Sequence, residues 1–474
     1  MKKKQLIFLF LISVGAMLFC TKSSPLYPFN DWGDANIYFT MGKGMLEGKV
    51  PYRDLYDHKG PLIYAIYAIA GMISKKSFLG VWILEIIAAT VFSIYSYKTL
   101  CLFCKKNVII LMPVYVAVVY AANHMRHGGS AEELCLTFLA YGLYVLAKYL
   151  VQKKMFKDIE LLLIGITSGF VLWIKYTMLG FYMGWIIVPA VLMLRNKEWK
   201  VLVRSILIIA AGVILSTIPI FAYFIANGAF ADLITVYFYN NIFVYAGEKV
   251  SLVAMILRIL ENVLKVAAKN IFIFAMIAIG MITLFIKKQF KMLSALTLGV
   301  ICLIATTLTA PTVHGYYSMC FSVFGIFGLW GLWLLCENVK QRYVSVLSIG
   351  VMLIHIFMNG YNIEFLFYPK DEMPQYRFAE IIKQSENPTL LNYGFLDSGF
   401  YTTANVSPSC KYFFEANINL QEMKDEQKEM IEQGKVEYVV TFDDVYDWPL
   451  YENVANTDFL VEGNDVTYHL YKLK

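Results

Sequence analysis

Apolar runs of near-bilayer length recur along the chain, at about residues 5–20, 78–100, 108–122, 134–151, 159–175, 177–194, 205–225, 269–286, 293–310, 316–336 and 343–360. About 20 residues of helix cross a hydrocarbon core, so the pattern predicts about eleven transmembrane helices. One further apolar stretch, "PLIYAIYAIAGMIS" at 61–74, reaches only about 21 Å as a helix against a core of about 30 Å, and reads as an interfacial or re-entrant helix. After residue 360 the pattern changes. "PTLLNYGF", "KVEYVVTF" and "VTYHLYKL" have the character of strands, and "LQEMKDEQKEMIEQG" that of a helix with Leu420, Met423, Met430 and Ile431 on its apolar positions and Gly434 as its stop. The expected architecture is an α-helical multi-pass membrane domain over residues 1–360, with a first outer loop at 21–77, followed by a small soluble α/β domain over 361–474.

Composition and charge sharpen this division. Of 474 residues 58% are apolar and 16% charged, the balance of a multi-spanning membrane protein. From residue 361 on there are 9 Lys/Arg against 20 Asp/Glu, leaving 32 against 15 before it, so the membrane part carries +17 and the tail −11 within the total of +6. Residues 1–20 have a basic start and a short apolar run but no small-x-small cleavage site, which favours an uncleaved first span. With Lys2, Lys3 and Lys4 in the cytoplasm, threading the chain places Lys105/Lys106, Lys153/Lys154/Lys157, Arg195/Lys197/Lys200/Arg204, Lys287/Lys288/Lys291 and Lys340/Arg342 on that same side, as the positive-inside rule requires. This threading expects a cytoplasmic N-terminus, an extracytoplasmic C-terminal domain and residence in the cell membrane.

The polar motifs then converge on the outer face: residues 21–60, "NHMRHGGSAEEL" at 123–134, Lys175, a long loop at 226–268 and "PTVHGYY" at 311–317. Ionisable groups within membrane spans cost about 2.5–3.5 kcal/mol each on insertion scales, so they generally serve one another or a polar ligand. Lys175 ends an apolar run on the side where positive charge is disfavoured, and is therefore a candidate ligand-binding residue. "VYFYNNIFVYAGE" at 236–248 reads as an amphipathic interfacial segment. Cys101 and Cys104 form an isolated CxxC with no second pair to complete a zinc site, and no phosphate-binding glycine loop or dinucleotide fingerprint is present.

"NDWGDANIYFTMGKGML", "YDHKGPLIYAIYA" and "GGSAEELCLTF" together resemble elements of the GT-C glycosyltransferases, in particular the protein O-mannosyltransferase and lipid A aminoarabinose transferase group (family 39-like). The resemblance covers residues 1–360. It implies that Asp34, ahead of a helix from about Ala35 to Leu46, is the catalytic carboxylate, and that Lys59 matches a basic residue of an acidic-Lys-Pro element. His58 stands where that element has its acid, with Asp57 one residue earlier and Gly60 inserted before Pro61. Glu132 or Glu133 matches a second acidic motif, and "TVHGYY" resembles a His-aromatic segment found in some members.

The implied reaction is transfer of a sugar from a polyprenyl-phosphate donor to a cell-envelope glycan, lipid or protein, with inversion at the sugar carbon. Such a donor already carries a good leaving group. Its reaction needs a carboxylate to take the acceptor's proton and cations to stabilise the phosphate. Asp34 is the expected base, and Lys59, Arg53, Arg126, Lys175 and His314 are the expected phosphate partners. Glu132, Glu133, Asp57 and His58 are candidates for orienting the acceptor, and the second carboxylate for holding a divalent cation. Other uses of the same residues stay open: Asp34 as a helix cap, Asp31 as the base in its place, Asp54 and Asp57 as surface partners of Arg53 and Lys59, and Glu132 and Glu133 as first-turn acids favoured by the helix dipole. At the level of the whole protein, the alternatives are a lipid-linked sugar flippase and a relative that has lost catalysis.

Overall fold

The computed structural model describes residues 1–104, 107–245, 251–461 and 464–474. Lys105 and Lys106 of the basic clusters and residues 246–248 of the aromatic stretch lie outside the described residues. Eight described segments are long and apolar enough to cross a membrane: Lys3–Cys20, Leu79–Leu100, Ala131–Gln152, Asp158–Arg195, Trp199–Ala226, Phe290–Thr307, Gly315–Cys336 and Gln341–Asn359. Leu252–Lys269 and Ile271–Ile286, bent by 105° at their junction, add a ninth if counted together. Each of the eleven expected runs is helical. The difference in count arises because the run at 108–122 yields only the short helix Val108–Tyr120, and because 158–195 is one continuous apolar segment broken internally at Lys175. There the backbone leaves the helical region (φ −153°, ψ 89°) before a short 3-10 turn, Tyr176–Leu179, and a second helix, Gly180–Arg195.

The expected loop at 226–268 is largely helical instead. A π-helix covers Ile234–Val244, and Leu252–Lys269 is an amphipathic helix with Leu252, Val253, Ile256, Leu257, Leu260 and Leu264 exposed. The sequence around them is polar enough to interrupt the hydropathy, but the apolar residues of 252–264 fall at helical spacing, so they form one face.

The chain divides into two compact units, neither continuous in sequence. The first comprises Met1–Thr21, Leu84–Ile220 and Glu248–Glu364. Its helices cross closely where small residues meet: a Cβ on Gly165 would lie 2.1 Å from the carbonyl of Ile209 and 2.8 Å from the Cα of Gly212. The second comprises Lys22–Ile83, Phe221–Gly247 and Phe365–Lys474, so the tail shares its unit with most of the segment 21–77.

In this second unit the tail builds a four-stranded sheet in the order β1-β2-β4-β3. Strands β1 (Leu390–Asn392) and β2 (Tyr438–Phe442) run parallel; β4 (Asn464–Leu473) lies antiparallel to both β2 and β3 (Tyr451–Val461). Leu391, Val436, Val439, Tyr451 and Tyr471 pack with Ile431 of the helix Gln421–Glu432. The segment 21–77 contributes two helices, Gly33–Leu46 and Pro61–Ile73. They pack at backbone contact distance at Gly42, where a Cβ would sit 2.6 Å from the nitrogen of Ala68.

Candidate functional site

In the second unit the helix Gly33–Leu46 opens after Trp32, whose side chain makes no capping bond. Asp34 therefore lies inside the first turn and does not cap the helix. Its carboxylate is 9% exposed, and among the described residues no hydrogen bond or ion pair holds it. The neighbouring acids are all committed. Asp31 pairs with the buried Lys22 at 2.7 Å, and Asp54 takes a two-pronged contact from Arg53 at 2.8 Å. Asp57 accepts from the Tyr64 hydroxyl at 2.8 Å and from the His58 N–H at 2.7 Å. A first-turn carboxylate faces the positive end of the helix dipole, and among the described residues Asp34 has no side-chain partner there.

Asp57 lies beside it electrostatically. Burial pushes its carboxyl above the ordinary range and the Asp34 charge adds to that rise, while Lys59, the Tyr64 hydroxyl and the His58 N–H pull it back. Asp57 is buried, which separates it from Asp54: only Asp54 forms the surface pair open to both acids.

The loop that carries these groups is fixed by tyrosines and by the π-helix. Tyr52 donates to the carbonyl of Lys59, and the Tyr64 hydroxyl, whose proton goes to Asp57, lies 3.1 Å from the same oxygen. Asn241 donates to the carbonyl of His58 at 2.7 Å, Asn240 to the Tyr56 hydroxyl at 3.3 Å, and the His58 ring packs on Tyr245 with centroids 4.9 Å apart. Lys59 Nζ stands 3.4 Å from His58 Nε2. Arg53 points elsewhere, to Asp54 and to the carbonyl of Asn227.

The first unit holds the other candidates. The break after the helix Asp158–Lys175 places Lys175 in an ion pair with Glu132, which is 2% exposed. The ammonium also lies 4.2 Å from the ring centre of Tyr317 and 5.3 Å from that of Tyr316, and His314 stacks on Tyr316 at 5.4 Å. Lys175, Glu132 and His314 thus share one aromatic cluster. Glu133 has a different setting. Ser130 caps the helix Ala131–Gln152 by accepting from the Glu133 N–H at 3.0 Å, and the Glu133 carboxylate accepts from the Gly129 N–H at 2.9 Å and meets Glu85. Arg126, at φ +53°, donates to the Tyr361 hydroxyl at 3.0 Å.

Sequence reasoning missed Glu85, a wholly buried acid that accepts from Thr21 at 2.9 Å. A lone acid inside an apolar run carries no spacing signal, and its partners come from distant segments. Tyr52, Tyr64, Asn240 and Asn241 were likewise invisible among many similar residues. Among the described residues no three His, Cys, Asp or Glu side chains gather as metal ligands. Cys101 and Cys104 are free thiols.

No family model matches the sequence, and no curated protein does. Solved structures do. ArnT from Cupriavidus metallidurans bound to undecaprenyl phosphate is similar with a TM-score of 0.63 at 12% identity, covering 99% of this chain and 98% of that one. The same protein in the apo state is similar with a TM-score of 0.60 at 11% identity, over 98% and 97% of the two chains. The archaeal oligosaccharyltransferase AglB from Archaeoglobus fulgidus, in complex with an inhibitory peptide and a dolichol-phosphate, reaches 0.48 at 13% identity, over 92% of this chain and 69% of its own. This multi-pass membrane chain therefore has, over nearly its whole length, the fold of ArnT.

Proposed function

We propose that this protein is an inverting membrane glycosyltransferase that takes a sugar from a polyprenyl-phosphate carrier and passes it to a cell-envelope glycan, lipid or protein outside the cytoplasm. The observation that carries the reading is the Asp34 carboxylate, buried at a helix start, acting on Asp57 and, among the described residues, without the partner that each neighbouring acid has. The ArnT fold, solved in ArnT with undecaprenyl phosphate, supports the choice of donor.

In this reading Asp34 accepts the proton of the acceptor hydroxyl as its oxygen attacks the anomeric carbon. The bond from that carbon to the phosphate oxygen breaks on the opposite face, and its electron pair leaves with the phosphate. General-base help of this kind is worth roughly 10²- to 10⁴-fold. Lys59 supplies positive charge to the departing phosphate, and Asp57 and His58 orient the acceptor. Lys175, His314 and Arg126 are assigned to recognition of anionic lipid headgroups, and Arg53 to a supporting role through Asp54. Basic clusters between the spans support a cytoplasmic N-terminus and an outer C-terminal tail.

The test is the fate of a polyprenyl-phosphate sugar given to the purified protein in vesicles. Release of polyprenyl phosphate together with an inverted glycoside is expected. Movement of the intact lipid-linked sugar across the bilayer, with no release, would replace this reading with a flippase.

A further inference from the structure

Asp397 belongs to the acidic tail, far in sequence from the first outer loop, yet it is completely buried against the helix that bears Asp34. Its carboxylate is bound from two sides. Thr40 of that helix donates to Oδ2 at 2.7 Å, while the Gly399 N–H at 2.9 Å and Asn392 Nδ2 at 3.2 Å donate to Oδ1. One turn further along the helix, the buried Lys43 donates to the Thr402 hydroxyl at 3.2 Å, and its charge acts on Asp397.

At the start of the helix a Cβ on Gly33 would come within 3.1 Å of the Leu396 Cβ, and a Cβ on Gly399 within 2.9 Å of Asn36 Oδ1. Residues 33, 36, 40 and 43 follow the i, i+3, i+7, i+10 spacing of a single helix stripe. All four meet the segment 396–402. That segment therefore sets the rotation of the helix about its axis, and with it the direction of Asp34, the residue next to Gly33. Among the described residues no side-chain hydrogen bond aims Asp34 itself.

We propose that Asp397, acting through Thr40, is a positioning residue for the Asp34 carboxylate, so that the C-terminal tail completes the catalytic helix. This rests on the reading of Asp34 as the general base. A displacement of about 1 Å at a reacting group costs on the order of a hundredfold in rate.

The experiment compares wild type with Thr40→Val, Thr40→Ser, Asp397→Asn and Asp34→Asn in sugar release from a polyprenyl-phosphate donor. Rates are normalised to the folded fraction measured by size exclusion in detergent. Thr40→Val and Asp397→Asn are expected to lower kcat by roughly tenfold to a hundredfold with the donor KM within about twofold, and Thr40→Ser, which keeps the hydroxyl, to retain wild-type kcat. Thr40→Val that keeps wild-type kcat per folded molecule, while Asp34→Asn is inactive, would overturn the positioning role and leave the base standing. A wild type that releases no sugar, or an active Asp34→Asn, would overturn both.

Discussion

Removing the Lys175 ammonium, by Lys175→Met, leaves Glu132 as an uncompensated carboxylate at 2% exposure. Breaking a buried pair in this way costs about 3–5 kcal/mol, and loss of the contact with Tyr317 adds about 0.5–2 kcal/mol. The reverse change, Glu132→Gln, is milder. Lys175 is 15% exposed and keeps its place over the aromatic rings, so its cost is set nearer the about 1–3 kcal/mol of a lost charged hydrogen bond. The double variant has neither charge and its cost should exceed that of Glu132→Gln alone only by the aromatic contact, roughly 0.5–2 kcal/mol. Thermal unfolding followed by tryptophan fluorescence in detergent ranks the three variants, and the account requires strong non-additivity. Costs that add to within about 0.5 kcal/mol would show that the two groups do not depend on one another. The same proteins separate structure from recognition: a double variant with restored stability but a raised KM for the lipid donor assigns Lys175 to the headgroup, whereas restored stability with unchanged KM makes the pair purely structural.

Three further outcomes follow from the same geometry. Gly42→Ala should destabilise the fold by about 1–3 kcal/mol, because its Cβ would meet the backbone of Ala68 and Tyr67, which cannot move aside as a side chain would; an unchanged melting temperature would contradict that packing. His124 is buried and held at about 4, below its ordinary 6.5, so the unfolded chain binds its proton first as pH falls. Stability should therefore drop between pH 6.5 and 4 by about 3 kcal/mol from this group, a loss that His124→Gln removes and that pH-dependent melting would detect. Tyr64→Phe deletes a hydrogen bond that lowers Asp57, so that carboxyl rises further. The acid limb of the transfer rate should then move to higher pH, and a limb that stays put would exclude Asp57 from it.

Much of this protein was legible in its sequence because the bilayer imposes length and polarity directly. The eleven apolar runs became helices, the short stretch at 61–74 became the helix Pro61–Ile73, and the helix expected from Ala35 begins at Gly33. The strands near 390 and 438 read as buried because they are, and the final one reads as a strand from its alternation. Strand β3 did not: many of its residues are exposed, and "YENVANTDFLV" lacks the clean alternation of a half-buried strand. The candidate site was legible only in its residues. That Asp34 is the acid left unpaired among the described residues, while Asp31 and Asp54 are paired, depends on Lys22 and Arg53 choosing particular partners. Spacing alone does not encode that choice. The Thr40–Asp397 bond joins positions too distant in sequence to suggest one another.

The role of Asp34 as the base is tested by sugar transfer from a polyprenyl-phosphate donor in Asp34→Asn and Asp31→Asn, each at matched levels of folded protein. A loss of roughly 10²- to 10⁴-fold is expected for Asp34→Asn, with most activity kept by Asp31→Asn. Full activity in Asp34→Asn, with loss in Asp31→Asn, would contradict it.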